Sequence, residues 1–109
     1  MKKIVDALYQ NGIVLRDLEH VNLRDELNSR KKIDIYLGRN FQNSYVVVLD
    51  ITKKSRILQK EAKEIMDLVS KLEFLREIKI KKRYIYLKAP ICSKAKRLFE
   101  NQKYRFLNL

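Results

Sequence analysis

The sequence predicts an α/β domain, a small mixed sheet flanked by helices in the order α-β-β-α-β-α-β. Three observations predict it. Residues 32–54, KIDIYLGRNFQNSYVVVLDITKK, hold two runs of alternating apolar residues separated by a polar segment containing Gly38, which is a hairpin signature. Leu58, Ala62, Ile65, Val69 and Leu72 then fall on one helical stripe. After that helix, two more extended segments alternate with a second helical pattern, and strands separated by helices require part of the sheet to be parallel.

In chain order, Ile4, Val5, Leu8 and Tyr9 sit at helical spacing within residues 2–11, and Gly12 stands where a helix end favours a left-handed residue. Residues 13–30 are mixed: Ile13 and Leu15 suit an extended start, Leu23 and Leu27 a helical turn, and the pattern does not choose. After the hairpin, Ser55 is a candidate cap for the long helix, whose opposite face carries Lys60, Lys63, Glu64, Asp67 and Lys71. Residues 77–88, EIKIKKRYIYLK, read as strand, but the apolar phase slips between Ile80 and Ile85, so either a tight turn at Lys82 and Arg83 or a strand buried on both faces is required. Pro90 suits the first turn of a helix that presents Ile91, Ala95, Leu98 and Phe99, and YRFLNL reads as a closing strand running to Leu109.

Length and composition bound the function. The 109 residues suit one domain, 1–109, and 46% apolar content with two Gly and one Pro indicates a packed fold rather than a disordered one. Lys and Arg number 25 against 13 Asp and Glu, and a net charge of +12 implies a polyanionic partner, nucleic acid before an anionic membrane surface. No apolar run approaches the ~18 residues of a membrane span. The start of the chain lacks a signal-peptide pattern, so the expected location is cytoplasmic. Cys92 is the lone cysteine and His20 the lone histidine; no nucleophilic triad, Gly-rich phosphate loop or Cys/His metal cluster is present.

The hairpin carries the chemistry. A register that sets Leu37 opposite Val47 sets Asp34 opposite Asp50, with both side chains leaving one face about 5 Å apart at Cβ. Like charges so placed repel unless a divalent cation neutralises them, and Mg2+ binds through one or two carboxylates while keeping positions for water and phosphate. The plainer alternative is that Asp34 is solvated and Asp50 ends its strand in a turn.

An acid on one strand of a hairpin, a second late in the next strand (VVVLDITKK) and a long helix after it resemble the core of the restriction-endonuclease-like superfamily and its PD-(D/E)xK pattern. The tail YIYLKAPICSKAKRLFENQKYRFLNL is similar to the closing strand, helix and strand of mismatch-directed and RecB-like members, so the resemblance covers residues 32–109. It implies Mg2+ bound by Asp34 and Asp50, a lysine that positions the attacking water, DNA favoured over RNA, and a homodimer of the kind that small Holliday-junction resolvases form. The sequence departs from the pattern: the second acid is Asp, and the lysine position holds Thr52 with Lys53 one residue late. Lys53 reaches the site only through a bulge, and Lys60 or Lys63 on the next helix are the substitutes. Glu19 is a further candidate metal ligand, more readily read as a surface acid.

The nucleic-acid contacts expected from charge are Lys53, Lys54 and Arg56, beside a helix N-terminus that itself favours phosphate, and Lys79, Lys81, Lys82 and Arg83; residues 30–32 and 94–97 form two more basic clusters. Tyr84, Tyr86, Tyr104 and Phe106 could stack on bases, although strand aromatics more often cover a sheet. Three readings follow: a Mg2+-dependent DNA endonuclease, a nucleic-acid-binding module of the same fold without catalysis, and a basic subunit that meets an acidic protein.

Overall fold

The structure is a computed structural model that describes residues 2–107, Lys2 by its backbone alone. Its elements run α1 (Lys2–Gln10), β1 (Arg16–Val21), α2 (Leu23–Leu27), β2 (Asp34–Arg39), β3 (Tyr45–Thr52), α3 (Gln59–Arg76), β4 (Ile80–Lys88), α4 (Ser93–Asn101) and β5 (Tyr104–Phe106). The five strands form one sheet in the order β1-β2-β3-β4-β5, the first three antiparallel and the last two joined in parallel. The mixed, helix-flanked sheet is the expected fold class. No helix among the described residues is long and apolar enough to cross a membrane.

Strand alternation builds two cores. Ile35, Leu37, Val47, Leu49, Ile51 and Ile85 point to one face, where α2, α3 and α4 cover them with Leu27, Ala62, Ile65, Val69, Leu72 and Phe99. Tyr36, Val46, Val48 and Tyr84 point to the other face, which α1 covers with Ile4 and Leu8. The buried stripe of α1 is Ile4, Ala7 and Leu8, whereas Val5 and Tyr9 of the expected stripe are exposed. Gly12 takes the left-handed conformation expected of it (φ +74°).

The hairpin register is the expected one, with Leu37 opposite Val47 and Asp34 opposite Asp50. Other features settle or depart from the expectations. The mixed segment contains an edge strand, β1, whose pairing shifts between Arg16 and Glu19 around Asp17 at φ +54°, followed by the short helix α2 capped by Asn22. Helix α3 starts at Gln59, not after Ser55, because Ile57 is held in a parallel bridge to Ile91. For the same reason Pro90 and Ile91 precede α4, which Cys92 caps by accepting the Ala95 N–H on Sγ at 3.3 Å. The phase slip in β4 is a bulge: Tyr45 pairs with Ile80 but Val46 with Lys82, so Lys81 is the extra residue and both Ile80 and Ile85 reach the α3 side. The last strand ends at Phe106, with Leu107 buried under α1's side of the sheet; positions 108 and 109 lie outside the described residues.

Candidate active site

One end of the α1 face carries the acid pair. Asp34 begins β2 and Asp50 lies near the end of β3, directly opposite it. Period-two alternation sends both side chains to the face that holds Tyr36 and Val48. Asp34 is exposed and Asp50 half-buried. Asp50 Oδ1 is fully shielded and has no hydrogen-bond partner among the described residues. Burial pushes the Asp50 carboxyl above the usual aspartate range; Lys88 and Lys3 pull it down in part, and the charge of Asp34 pushes it further up. The Tyr36 phenol, one alternation inward, is raised by burial and then by the two carboxylates.

Neighbouring strands complete the site. On β1, His20 stands opposite Tyr36, edge-on to its ring at 5.2 Å, and its Nε2 donates to Asp34 Oδ1 at 2.8 Å. On β4, Tyr86 stands opposite Asp50 and Lys88 opposite Thr52, so both share the acid-bearing face. Lys88 Nζ sits 4.4 Å above the Tyr86 ring. The sequence offered no route to His20 or Lys88, since a strand's neighbours across a sheet are fixed by tertiary pairing rather than by spacing.

The other expected site residues lie elsewhere. Lys53 follows Thr52, so its side chain leaves the opposite face, where it pairs with Glu61 at the start of α3. Lys60 and Lys63 are exposed on α3, which packs on that same opposite face. None of these lysines converges with the acids. Glu19 also projects to the α3 side, where Arg76 binds it together with Glu26.

The expected nucleic-acid contacts divide by face. Lys54 and Arg56 are exposed in the β3–α3 connection, ahead of the helix N-terminus rather than on it. Lys79, Lys81 and Lys82 are exposed, Lys82 on the α1 side beside Tyr84. Arg83 turns to the α3 side, 3.7 Å from Glu73 and over the Tyr104 ring at 5.8 Å. Tyr84 and Tyr104 are buried, Phe106 packs edge-on to Phe99, and Tyr86 lies beneath Lys88, so these four rings cover the sheet instead of forming an open stacking platform.

Among the described residues there is no group of three or more His, Cys, Asp and Glu arranged to hold a metal, which leaves no protein cage of the zinc type. The donors present fit Mg2+: two carboxylates from adjacent strands, one with an oxygen that no group among the described residues satisfies.

No protein-family model matches the chain, and no curated protein matches it by sequence. Solved structures do. Apo EndoMS aligns at a TM-score of 0.59 and 19% identity over 99% of this chain and 45% of its own. A repair endonuclease from Pyrococcus abyssi aligns at 0.54 and 14% identity, covering 99% of this chain and 46% of its own. The fold is nuclease-like. EndoMS in its complex with dsDNA gives a TM-score of 0.53 and 18% identity over 99% of this chain and 43% of that one. The chain therefore spans less than half the length of each of these proteins.

Proposed function

We propose that this chain is a Mg2+-dependent DNA endonuclease of the restriction-endonuclease-like type. One observation carries the reading: Asp34 and Asp50 face each other across the β2–β3 ladder, and the inner oxygen of Asp50 has no hydrogen-bond partner among the described residues. A shielded carboxylate oxygen without a hydrogen bond, beside a second carboxylate, costs stability that a bound cation would relieve. The likeness in fold to a repair endonuclease and to EndoMS, the latter also in a complex with dsDNA, supports a nucleic-acid substrate.

Asp34 and Asp50 would hold the ion, which when bound supplies a more acidic water and neutralises charge on the scissile phosphate. His20, donating to Asp34 Oδ1, fixes that carboxylate's rotamer and leaves Oδ2 for the ligand. Lys88 takes the part that the resemblance gave to Lys53 or Lys60. It reaches the acid-bearing face from β4, where its ammonium can attract a phosphate and orient the water that attacks it. A homodimer would present two such sites to the two strands of a duplex.

A labelled-duplex cleavage assay with and without Mg2+ tests the reading. Asp34→Asn and Asp50→Asn each abolish Mg2+-dependent cutting, Lys88→Met lowers it at least about a hundredfold, and Lys53→Met leaves it near the native rate. Cutting that survives both aspartate substitutions overturns the assignment. The departure of Lys53 and Lys60 from the acid face favours a second reading, a binding module without catalysis. Binding with no cleavage by the native chain selects it.

A further inference from the structure

The hairpin that carries the acid pair ends in a feature that hydrolysis does not use. Phe41, at its tip, is 96% exposed, a costly place for a phenyl ring in a chain that buries most of its large apolar residues. The ring is carried on a stiff support. Asn40 Oδ1 accepts the N–H groups of Gln42 and Ser44, both at 3.0 Å, the Asn43 N–H returns to the Asn40 carbonyl at 3.0 Å, and the Asn43 side chain accepts from Arg16 and Arg39. Phe41 is therefore presented outward by a fixed turn.

Its surroundings are cationic. Phe41, Val14, Lys82 and Tyr84 line one hollow of about 270 Å³, and Phe41, Val14, Arg16 and Arg39 line a second of about 250 Å³. Neither lining contains an Asp or Glu. Among the described residues Arg16, Arg39 and Lys82 make no ion pair with a carboxylate, so three positive charges around the ring remain available to an anion. A protein partner would need an apolar pocket and acids spaced to match; a nucleic-acid strand supplies a flat π-face and flanking phosphates in every residue.

We propose that Phe41 is a stacking platform for an unpaired base, with Arg16, Arg39 and Lys82 holding the phosphates on either side of it. The platform sits past Arg39, the last residue of β2, and Asp34 is the first. Six strand residues span roughly 20 Å, or about six nucleotide steps at ~3.4 Å each. Lys82 shares the acid-bearing side of the sheet, with α1 covering the face between it and the acid pair. This proposal rests on the nucleic-acid half of the reading above and not on hydrolysis.

The chain has no tryptophan, so Phe41→Trp introduces a single indole reporter. In EDTA, titrating the full chain carrying Phe41→Trp with a single-stranded oligonucleotide should quench the indole emission as fluorescence anisotropy rises, while a blunt, fully paired duplex of equal length binds with little quenching. Phe41→Ala should bind the single strand about tenfold more weakly with an unchanged salt slope, and circular dichroism should find it folded. Anisotropy binding with no quenching and no loss in Phe41→Ala overturns the platform and leaves the nuclease reading standing. Equal quenching by the paired duplex overturns it in favour of a backbone contact. No binding of either nucleic acid by the native chain at low salt removes the platform and the nucleic-acid reading together.

Discussion

A carboxyl group with one oxygen shut off from solvent and, among the described residues, from any donor, as at Asp50, weakens the folded state once it ionises. Its folded-state pKa lies above the unfolded one, so between those two values the folded chain holds the proton more tightly. Stability contributed by the protonated form is therefore lost as pH rises through that window, from the ordinary aspartate value of 3.8 upward. Asp50→Asn should melt higher than the native chain at neutral pH, with the gap closing as the pH drops below 3.8, and thermal melts across pH are the measurement. Parallel pH profiles for the two chains would contradict this account. Adding Mg2+ at pH 7 should raise the Tm of the native chain and not that of Asp50→Asn. The two acids were legible because period-two alternation gives face and partner together once one pair of the register is known. Lys88 was not, because it belongs to a strand whose parallel pairing with β3 depends on the intervening α3.

Among the elements, β2 owes its close neighbour to a single missing side chain. A Cβ on Gly38 would stand 3.1 Å from Leu18 Cδ1, 3.2 Å from the Arg16 carbonyl oxygen and 3.4 Å from Leu15 Cβ. The leucine tip can swing aside, but the carbonyl belongs to the backbone of β1. Gly38→Ala should therefore cost about 1–2 kcal/mol in chemical denaturation; a more stable variant would mean that the edge strand moves freely. The hairpin, α1, α3, β4, α4 and the start of β5 were all visible in the apolar pattern. The edge strand β1 was hidden, because RDLEHV buries only Val21 and the bulge at Asp17 breaks its alternation. The slip between Ile80 and Ile85 was read correctly as a fault in the strand, but the remedy was a bulge at Lys81, which a charged residue can occupy because an extra residue need not face either core. Ser55 looked like a cap, yet the backbone through Ile57 is claimed by pairing with the segment before α4: the Ile57 N–H donates to the Pro90 carbonyl at 2.9 Å, and the Ile57 carbonyl accepts from Cys92 at 3.1 Å.

At the scale of the whole molecule, a net charge of +12 makes affinity for nucleic acid steeply dependent on salt. The basic residues are unequal in this. Lys54 and Arg56 are exposed and make no ion pair among the described residues, whereas Lys53 is held by Glu61 and Arg83 by Glu73. Replacing Lys54 and Arg56 together by Ala should reduce the slope of log K against log salt on duplex DNA by about 1.8, and replacing Lys53 should leave it nearly unchanged. A slope that responds to Lys53 and not to the exposed pair would reverse this ranking. The total charge was plain in the sequence; which cations remain free depends on acids brought alongside by α3.

The strands lie side by side in the order in which the chain presents them. Each newly made strand can join the margin left by its predecessor, so assembly needs no threading and no late insertion into a finished layer. Both halves of the acid pair are in place once the second hairpin arm has been synthesised, before α3 and α4 exist. A ribosome-bound chain stopped soon after Thr52 would already contain the ligands of the proposed centre, next to a bare apolar surface waiting for its lid.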